Sequence, residues 1–262
     1  MDSHSGCHGG RVLTPARSDT IAACERQSGK EENEMKACVI CAMKEEAEAV
    51  AAVLSDRKEF HWAHGDGFRG VIAGHDVTVT VSGIGKVAAA VSAVLTIKEE
   101  NPDIVINSGS AGALSKDLRI GDAVVSTEVA YHDADLTVFG YKPGQMAGCK
   151  PRFTSDVRLV KAALRAALPG RSVRSGLIVS GDQFLSTDSQ KERILSIYPD
   201  ALMGEMEGAA IAHACTILNV PFLIVRSASD SANGESPVKF EEFLPTASEN
   251  AAIITRTVLE SI

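Results

Sequence analysis

From Met35 onward, short runs of β-branched residues alternate with segments whose apolar residues recur at three and four. That alternation is the pattern of a sheet covered by helices on both faces. Strands are expected at 36–42, 69–73, 76–82, 103–108, 122–131, 173–180, 201–205 and 221–227. Helices are expected at 44–54, 86–100, 155–167, 188–196, 207–218 and 246–261. The runs 70–73 and 76–81 leave no room for a helix between them and read as an antiparallel hairpin around Gly74-His75. The fold class is therefore α/β, in three layers, with a central mixed, mostly parallel β-sheet flanked by helices. No internal repeat points to a solenoid.

A chain of 262 residues with 45% hydrophobic and 23% charged positions is ordinary globular material, long enough for one well-buried core. Residues 1–34 are the exception: rich in Ser, Gly, Arg and Glu and without an apolar run, they read as a disordered extension ahead of a folded domain at 35–262. Arg11, Arg17 and Arg26 permit a transit-peptide reading, which Asp2, Asp19, Glu25 and Glu31 oppose. With neither an exported leader nor a span, the expected location is cytoplasmic. A net charge of -8 offers no attraction to nucleic acid or to an anionic membrane surface.

Six cysteines, at 7, 24, 38, 41, 149 and 215, are too sparse for a disulfide scaffold. Cys38-Val-Ile-Cys41 has redox spacing but sits inside an apolar run, where a thiol behaves as a small hydrophobe. No second cysteine or histidine pair has zinc spacing, so neither a metal nor a cofactor is expected.

In open α/β sheets ligands bind beyond the carboxyl ends of strands. Five such places carry polar or glycine-rich residues: 42–46, 82–86, 107–113, 204–208 and 226–230. Gly83-Ile84-Gly85 is no dinucleotide fingerprint, because Ala88 stands where a third glycine is needed and the loop follows a hairpin. Residues 107–113 read as a small-residue loop whose amides suit a sugar, a base or a carboxylate. Glu207 is expected to point into the cleft and Glu205 elsewhere. Glu46, Glu207 and Asp230 all map to strand ends on one edge, where three carboxylates can share acid, base and hydroxyl-binding work. His132-Asp133 beside Tyr131 suggests a nucleophilic dyad, but no nucleophile elbow exists and Cys149 has no base nearby in sequence, so His132 reads as structural.

Taken together, Ser82–Ala90, Asn107–Gly112, Tyr131–Asp135 with Phe139-Gly-Tyr141, Val179–Asp182, Glu205-Met-Glu207 and Arg226–Asp230 resemble the 5'-methylthioadenosine/S-adenosylhomocysteine nucleosidases, of the purine nucleoside phosphorylase superfamily. The resemblance spans essentially all of 35–262. It implies a nucleoside phosphorylase-like fold and cleavage of the N-glycosidic bond between adenine and a 5'-thioribose, through a sugar with oxocarbenium character.

Residue by residue, the resemblance implies that Asp230, beside Ser229, is the general acid for adenine N7, a role that needs burial to raise its pKa. Glu46 would activate the attacking water, with Arg226 nearby. Glu207 would accept hydrogen bonds from the ribose 2'- and 3'-hydroxyls while Met206 packs under the ring. Phe184 and the backbone of Leu185 would form the adenine slot, with Ser110, Ala111 and Gly112 as its floor. Ile84 and Phe240 would line the 5'-thio pocket together with Leu136, Phe139 and Tyr141 of a neighbouring subunit, which implies a homodimer with shared sites.

One departure from the family pattern is Ala147, where many relatives carry a proline; it leaves the breadth of the 5'-substituent open. Lys44, where an acid is often found, touches no assigned role. A phosphorylase of the same fold is the nearest alternative, yet residues 42–52 lack arginine and Asn107 stands where a phosphate-binding arginine is expected. Futalosine hydrolase, AMP nucleosidase and non-catalytic storage proteins share the fold; Glu46, Glu207 and Asp230 together argue against the last.

Overall fold

The structure, a computed structural model, describes residues 34–62, 65–230 and 237–262, without the side chains of 237–239. The expected extension at 1–34 thus lies outside the described residues except for Glu34.

Strand β1 (Lys36–Cys41) is buried from Ala37 onward, as its unbroken apolar run requires. It pairs in parallel with β4 (His75–Val81) on one side and β5 (Ile104–Ala113) on the other. β3 (Gly65–Ile72) and β4 form the expected hairpin, with Ile72 opposite His75 across a turn at Ala73-Gly74. Both turn residues have positive φ, 53° and 85°, which matches the twist of the flanking strands. Beyond β5 lie β6 (Ala123–Tyr131), β8 (Val173–Ser180), β9 (Ala201–Glu205) and β10 (Phe222–Asp230). β6, β8 and β9 pair in parallel, as do β5 and β10; β6 and β10 run antiparallel. The sheet is mixed, with ten strands among the described residues.

β5 organises the site. It borders β1, runs beside β10, and at its carboxyl end meets β9 through only Gly112↔Gly204 and Ala113↔Met203. Because β10, β6, β8 and β9 lead back to β5, these five strands close on one another. The carboxyl ends of β5 and β9, far apart in sequence, are brought tip to tip.

Helices α1 (Lys44–Ala51), α3 (Val157–Ala163) and α6 (Pro237–Leu259) cover a core containing Val39, Ile106, Leu223 and Ile254. α2 (Lys86–Glu100) and α5 (Gly208–Leu218) cover the opposite face around Cys38, Val105, Ile211 and Ile224. α4 (Asp188–Ile197) lays Ile194 against Leu177 and Val179 of β8. Cys38 and Cys41 therefore face opposite cores, and burial pushes both thiols up, which removes the redox reading.

The structure departs from the sequence expectation in several places: α1 and α3 end earlier than expected, at Ala51 and Ala163, β3 starts earlier, at Gly65, and four further differences have a physical reason. β2 (Ser55–Trp62), unforeseen, has the polar sequence Ser-Asp-Arg-Lys-Glu-Phe-His-Trp because it is an outer strand exposed along most of its length. The two-residue β7 (Phe153–Thr154) pairs with β6 and is too short to leave a pattern. Residues 107–113 are not a loop but the second half of β5, held extended by β10 and β9. α6 begins at 237, not after Pro245, so that proline lies inside the helix.

Candidate active site

An open cleft lies at the strand ends, lined mostly by apolar side chains with a few carboxylates among them. Its residues come from each of the five places marked in the sequence.

Glu46 is the third residue of α1, and its carboxylate turns back over the helix start. Oε2 accepts the amides of Ala42 and Met43 at 3.1 and 3.2 Å; Oε1 accepts the amide and hydroxyl of Ser110 at 2.9 and 3.0 Å. A side chain on Gly109 has no room, since a Cβ there would lie 2.6 Å from Oε1. Burial raises the Glu46 pKa, with Arg226 and Ser110 acting against it.

At the opposite end, Asp230 closes β10 and its Oδ1 accepts the Ala113 amide at 3.1 Å. Ser229, Ser110, Ala111 and Gly112 line the wall between the two acids. Phe184 and Phe240 meet edge-on, 5.7 Å apart, beside Leu185 and Ile84. Met206 lies between Glu205 and Glu207 on the cleft surface.

Arg226 lies beneath the cleft, 1% exposed, and does not line it. Its Nη2 donates to Asn107 Oδ1 at 2.6 Å and to Glu205 Oε2 at 2.5 Å, and lies 3.5 Å from Glu207 Oε2. The expectation that Glu205 points elsewhere is thus corrected. Residues two apart in an extended chain share a face, and both carboxylates converge on one guanidinium. Glu205 also accepts the Ser180 hydroxyl and the amides of Glu207 and Gly208, and it lines the cleft.

Burial opposes the charge on Glu205, but Arg226 and Ser180 outweigh it and hold its pKa below the usual range. Glu207 is the opposite case: burial and the Glu205 charge push it up to about 7, against Arg226 and the Gly85 amide, which donates to Oε1 at 2.8 Å. The cleft thus offers one carboxyl poised near neutrality and another, Asp230, across an apolar slot. That arrangement can bind sugar hydroxyls at one end and protonate a leaving base at the other.

Gln183, Met43, Ala42 and Gly204 also line the cleft and carried no role in the sequence reading. Only their adjacency to Phe184, Glu46 and Glu205 could have marked them. Leu136, Phe139 and Tyr141 do not reach this cleft; Phe139 is 75% exposed. Cys149, with no base near it in sequence, has His213 Nε2 3.2 Å from its sulfur, and Tyr131 Oη 3.2 Å from the other ring nitrogen; these residues do not line the cleft. Among the described residues no group of three or more His, Cys, Asp or Glu is arranged to hold a metal ion.

A family model described as the phosphorylase superfamily matches residues 36–260. A 5'-methylthioadenosine/S-adenosylhomocysteine nucleosidase of Actinobacillus succinogenes is 43% identical over 218 residues, 83% of this chain and 95% of that protein. Among solved structures, a nucleosidase of the same name from Colwellia psychrerythraea, in complex with adenine, superposes with a TM-score of 0.84 at 40% identity. It covers 87% of this chain and 96% of its own. The one from Neisseria meningitidis, in complex with methylthio-immucillin-A, gives a TM-score of 0.84 at 41% identity, over 87% of this chain and all of that one.

Proposed function

The chain belongs to the phosphorylase superfamily and, within it, to the 5'-methylthioadenosine/S-adenosylhomocysteine nucleosidases, and from that membership we propose that it hydrolyses the N-glycosidic bond of both nucleosides to release adenine and a 5-thioribose. The observation that carries this reading is the cleft itself, which Glu46, Glu207 and Asp230 line together with the apolar side chains of Ile84, Phe184, Leu185, Met206 and Phe240.

Adenine occupies the slot beside Phe184, Phe240 and Leu185, over Ser110, Ala111 and Gly112, and Asp230 delivers a proton to N7 so that the base departs neutral. Its position beside Ser229 at the buried tip of β10 supports the assignment. Glu207 accepts the ribose hydroxyls and sets a negative charge beside the developing cation, over Met206. Glu46 holds and deprotonates the attacking water. Arg226 acts from below, keeping Glu205 and Glu207 in place and their charges tolerable.

Hydrolysis is favoured over phosphorolysis because no described residue lining the cleft is Lys or Arg. Arg226, the cation beneath, is already engaged by Glu205 and Asn107. A multiply charged phosphate would lack the donor fork it needs and would meet Glu46.

The protein acts as a cytoplasmic homodimer. Val87, Val91 and Leu95 form an exposed apolar stripe along α2, near exposed Ile84 in sequence, and Val138 and Phe139 are exposed in the segment that follows β6. A second copy would bury this surface and bring Leu136, Phe139 and Tyr141 to its partner's 5'-thio pocket. Among the described residues no helix is long and apolar enough to cross a membrane.

The test is adenine release from methylthioadenosine in phosphate-free buffer, with the sugar product identified by mass. Free 5-methylthioribose and no response to added phosphate are expected, and Glu46→Gln should slow turnover far more than it weakens binding. Appearance of 5-methylthioribose 1-phosphate would overturn the hydrolase reading.

A further inference from the structure

Lys86, the first residue of α2, is anchored from several directions beside the cleft. Its Nζ lies 2.7 Å from both carboxylate oxygens of Asp133, and its backbone N–H donates to Asp182 Oδ1 at 2.8 Å. Asp182 in turn donates its own amide to Asp133 Oδ2 at 2.9 Å, which closes a ring of three residues from three separate loops. The side chains of Lys86 and Asp133 are only 24% and 16% exposed, so water and salt screen this pair less than a surface bridge.

None of the three lines the cleft, yet each is joined to groups that form it. Gly85, immediately before Lys86, donates its amide to Glu207 Oε1 at 2.8 Å. Gln183 and Phe184, immediately after Asp182, line the base end. The fit between the two loops is tight: Gly85 has φ +95°, and a Cβ there would lie 3.1 Å from Asp182 Oδ1. On the remaining side His132, buried and with its pKa lowered by burial, adds no firm charge, and the Tyr131 ring lies 5.4 Å from Lys86 Nζ.

We propose that Asp133 is a positioning residue: through Lys86 and Asp182 it sets the Gly85 amide against Glu207 and ties the sugar end of the cleft to the loop that forms the base end. The Gly85 amide is one of four groups that act on Glu207 besides burial, the others being Glu205 of β9, Arg226 of β10 and Glu46 of α1. It is the group in that set whose position depends on the clamp. Neutralising Asp133 leaves Lys86 Nζ with Asp182 Oδ2, 3.7 Å away, as its anionic partner, loosens the clamp at the start of α2, and leaves Glu207 less well held for the ribose hydroxyls. The inference rests on the nucleosidase reading given above.

A double-mutant cycle on kcat/KM for methylthioadenosine separates this role from a plain staple between α2 and β6. Asp133→Asn is expected to lower kcat/KM by about 10- to 100-fold, the scale of a small misplacement of a reacting group. In a Glu207→Gln background the same change should cost less than about threefold, because the group it acts through is already disabled. Effects that multiply in the double mutant overturn the proposal, as does an Asp133→Asn enzyme within about threefold of the unaltered one. If Asp133→Asn does not fold by circular dichroism, Lys86→Met breaks the clamp from its other end and the cycle is run with it. An unaltered protein that releases no adenine refutes the nucleosidase reading itself, whereas an active protein with a multiplicative cycle refutes the clamp alone.

Discussion

Gly109→Ala isolates the placement of Glu46 from every other feature of the cleft. Gly109 lies in β5 opposite Arg226 of β10, and its φ is not positive, so alanine meets no backbone penalty. The whole perturbation is one methyl group, which would sit 2.6 Å from Glu46 Oε1, 2.9 Å from its Cδ and 3.0 Å from Oε2. These distances lie well inside contact, and the carboxylate is not a flexible chain end in open space: it is 3% exposed and held by four donors. Making room requires Glu46 to withdraw by about half an ångström or more, at the expense of its bonds to Ser110. Overpacking costs about 1–3 kcal/mol, and weakening hydrogen bonds to a buried charge costs about 1.5–3 kcal/mol each. A loss of about 3 kcal/mol in urea unfolding is therefore expected, within the 5–15 kcal/mol that a domain of this kind commands, so the variant stays folded. With Glu46 in its proposed role at the water and not the base, kcat for adenine release should fall about 100-fold while KM changes less than about fivefold. A folded Gly109→Ala enzyme with kcat within threefold of the unaltered one would show that the position of Glu46 does not limit catalysis.

Asp230→Asn keeps the shape of the β10 tip but cannot supply the N7 proton; kcat should fall by about 10² to 10⁴, and retention of more than about a tenth of the activity contradicts the acid assignment. Glu207 is pushed up to about 7 by burial and Glu205, and in its proposed role as an ionised acceptor of the ribose hydroxyls kcat/KM should decline as pH drops below about 7. Glu205→Gln should carry that decline to lower pH, and a profile flat from about pH 5 to 8 rules out the role. Phe139→Ala should raise KM for methylthioadenosine, and mixing it with Asp230→Asn chains should regenerate one site having both native residues. Light scattering that finds only monomer at micromolar concentration, or mixed dimers that recover no native KM, removes the shared-site dimer.

How much was legible beforehand follows from the range of the interactions involved. Strands β1, β6, β8 and β10 are recognisable because each carries a short apolar run buried on both faces, at 37–41, 123–125, 177–179 and 222–225, and α2 and α5 because a helix against a sheet needs apolar residues at three and four. Glu46, Glu207 and Asp230 stand out since polar residues directly after such runs have few places to go except a strand-end cleft. β2 was invisible for the converse reason: an exposed edge strand needs no apolar pattern, so its polar sequence carries no signal.

What the sequence by itself determined is thus an α/β layering and a cluster of acids at one edge of a sheet, both consequences of local burial. The tertiary structure alone decided how those acids differ. β5 runs on through Asn107–Ala113 because β10 and β9 supply its hydrogen bonds, and that pairing brings Ser110 to Glu46 and Ala113 to Asp230. Glu205 and Glu207 are chemically alike and two residues apart, yet one is held below the ordinary carboxylate range and the other pushed up to about 7. The difference is made by Arg226 and Ser180 crowding Glu205 beside the local amides of Glu207 and Gly208, and the first two, brought there by long-range pairing, have no trace in the residues on either side.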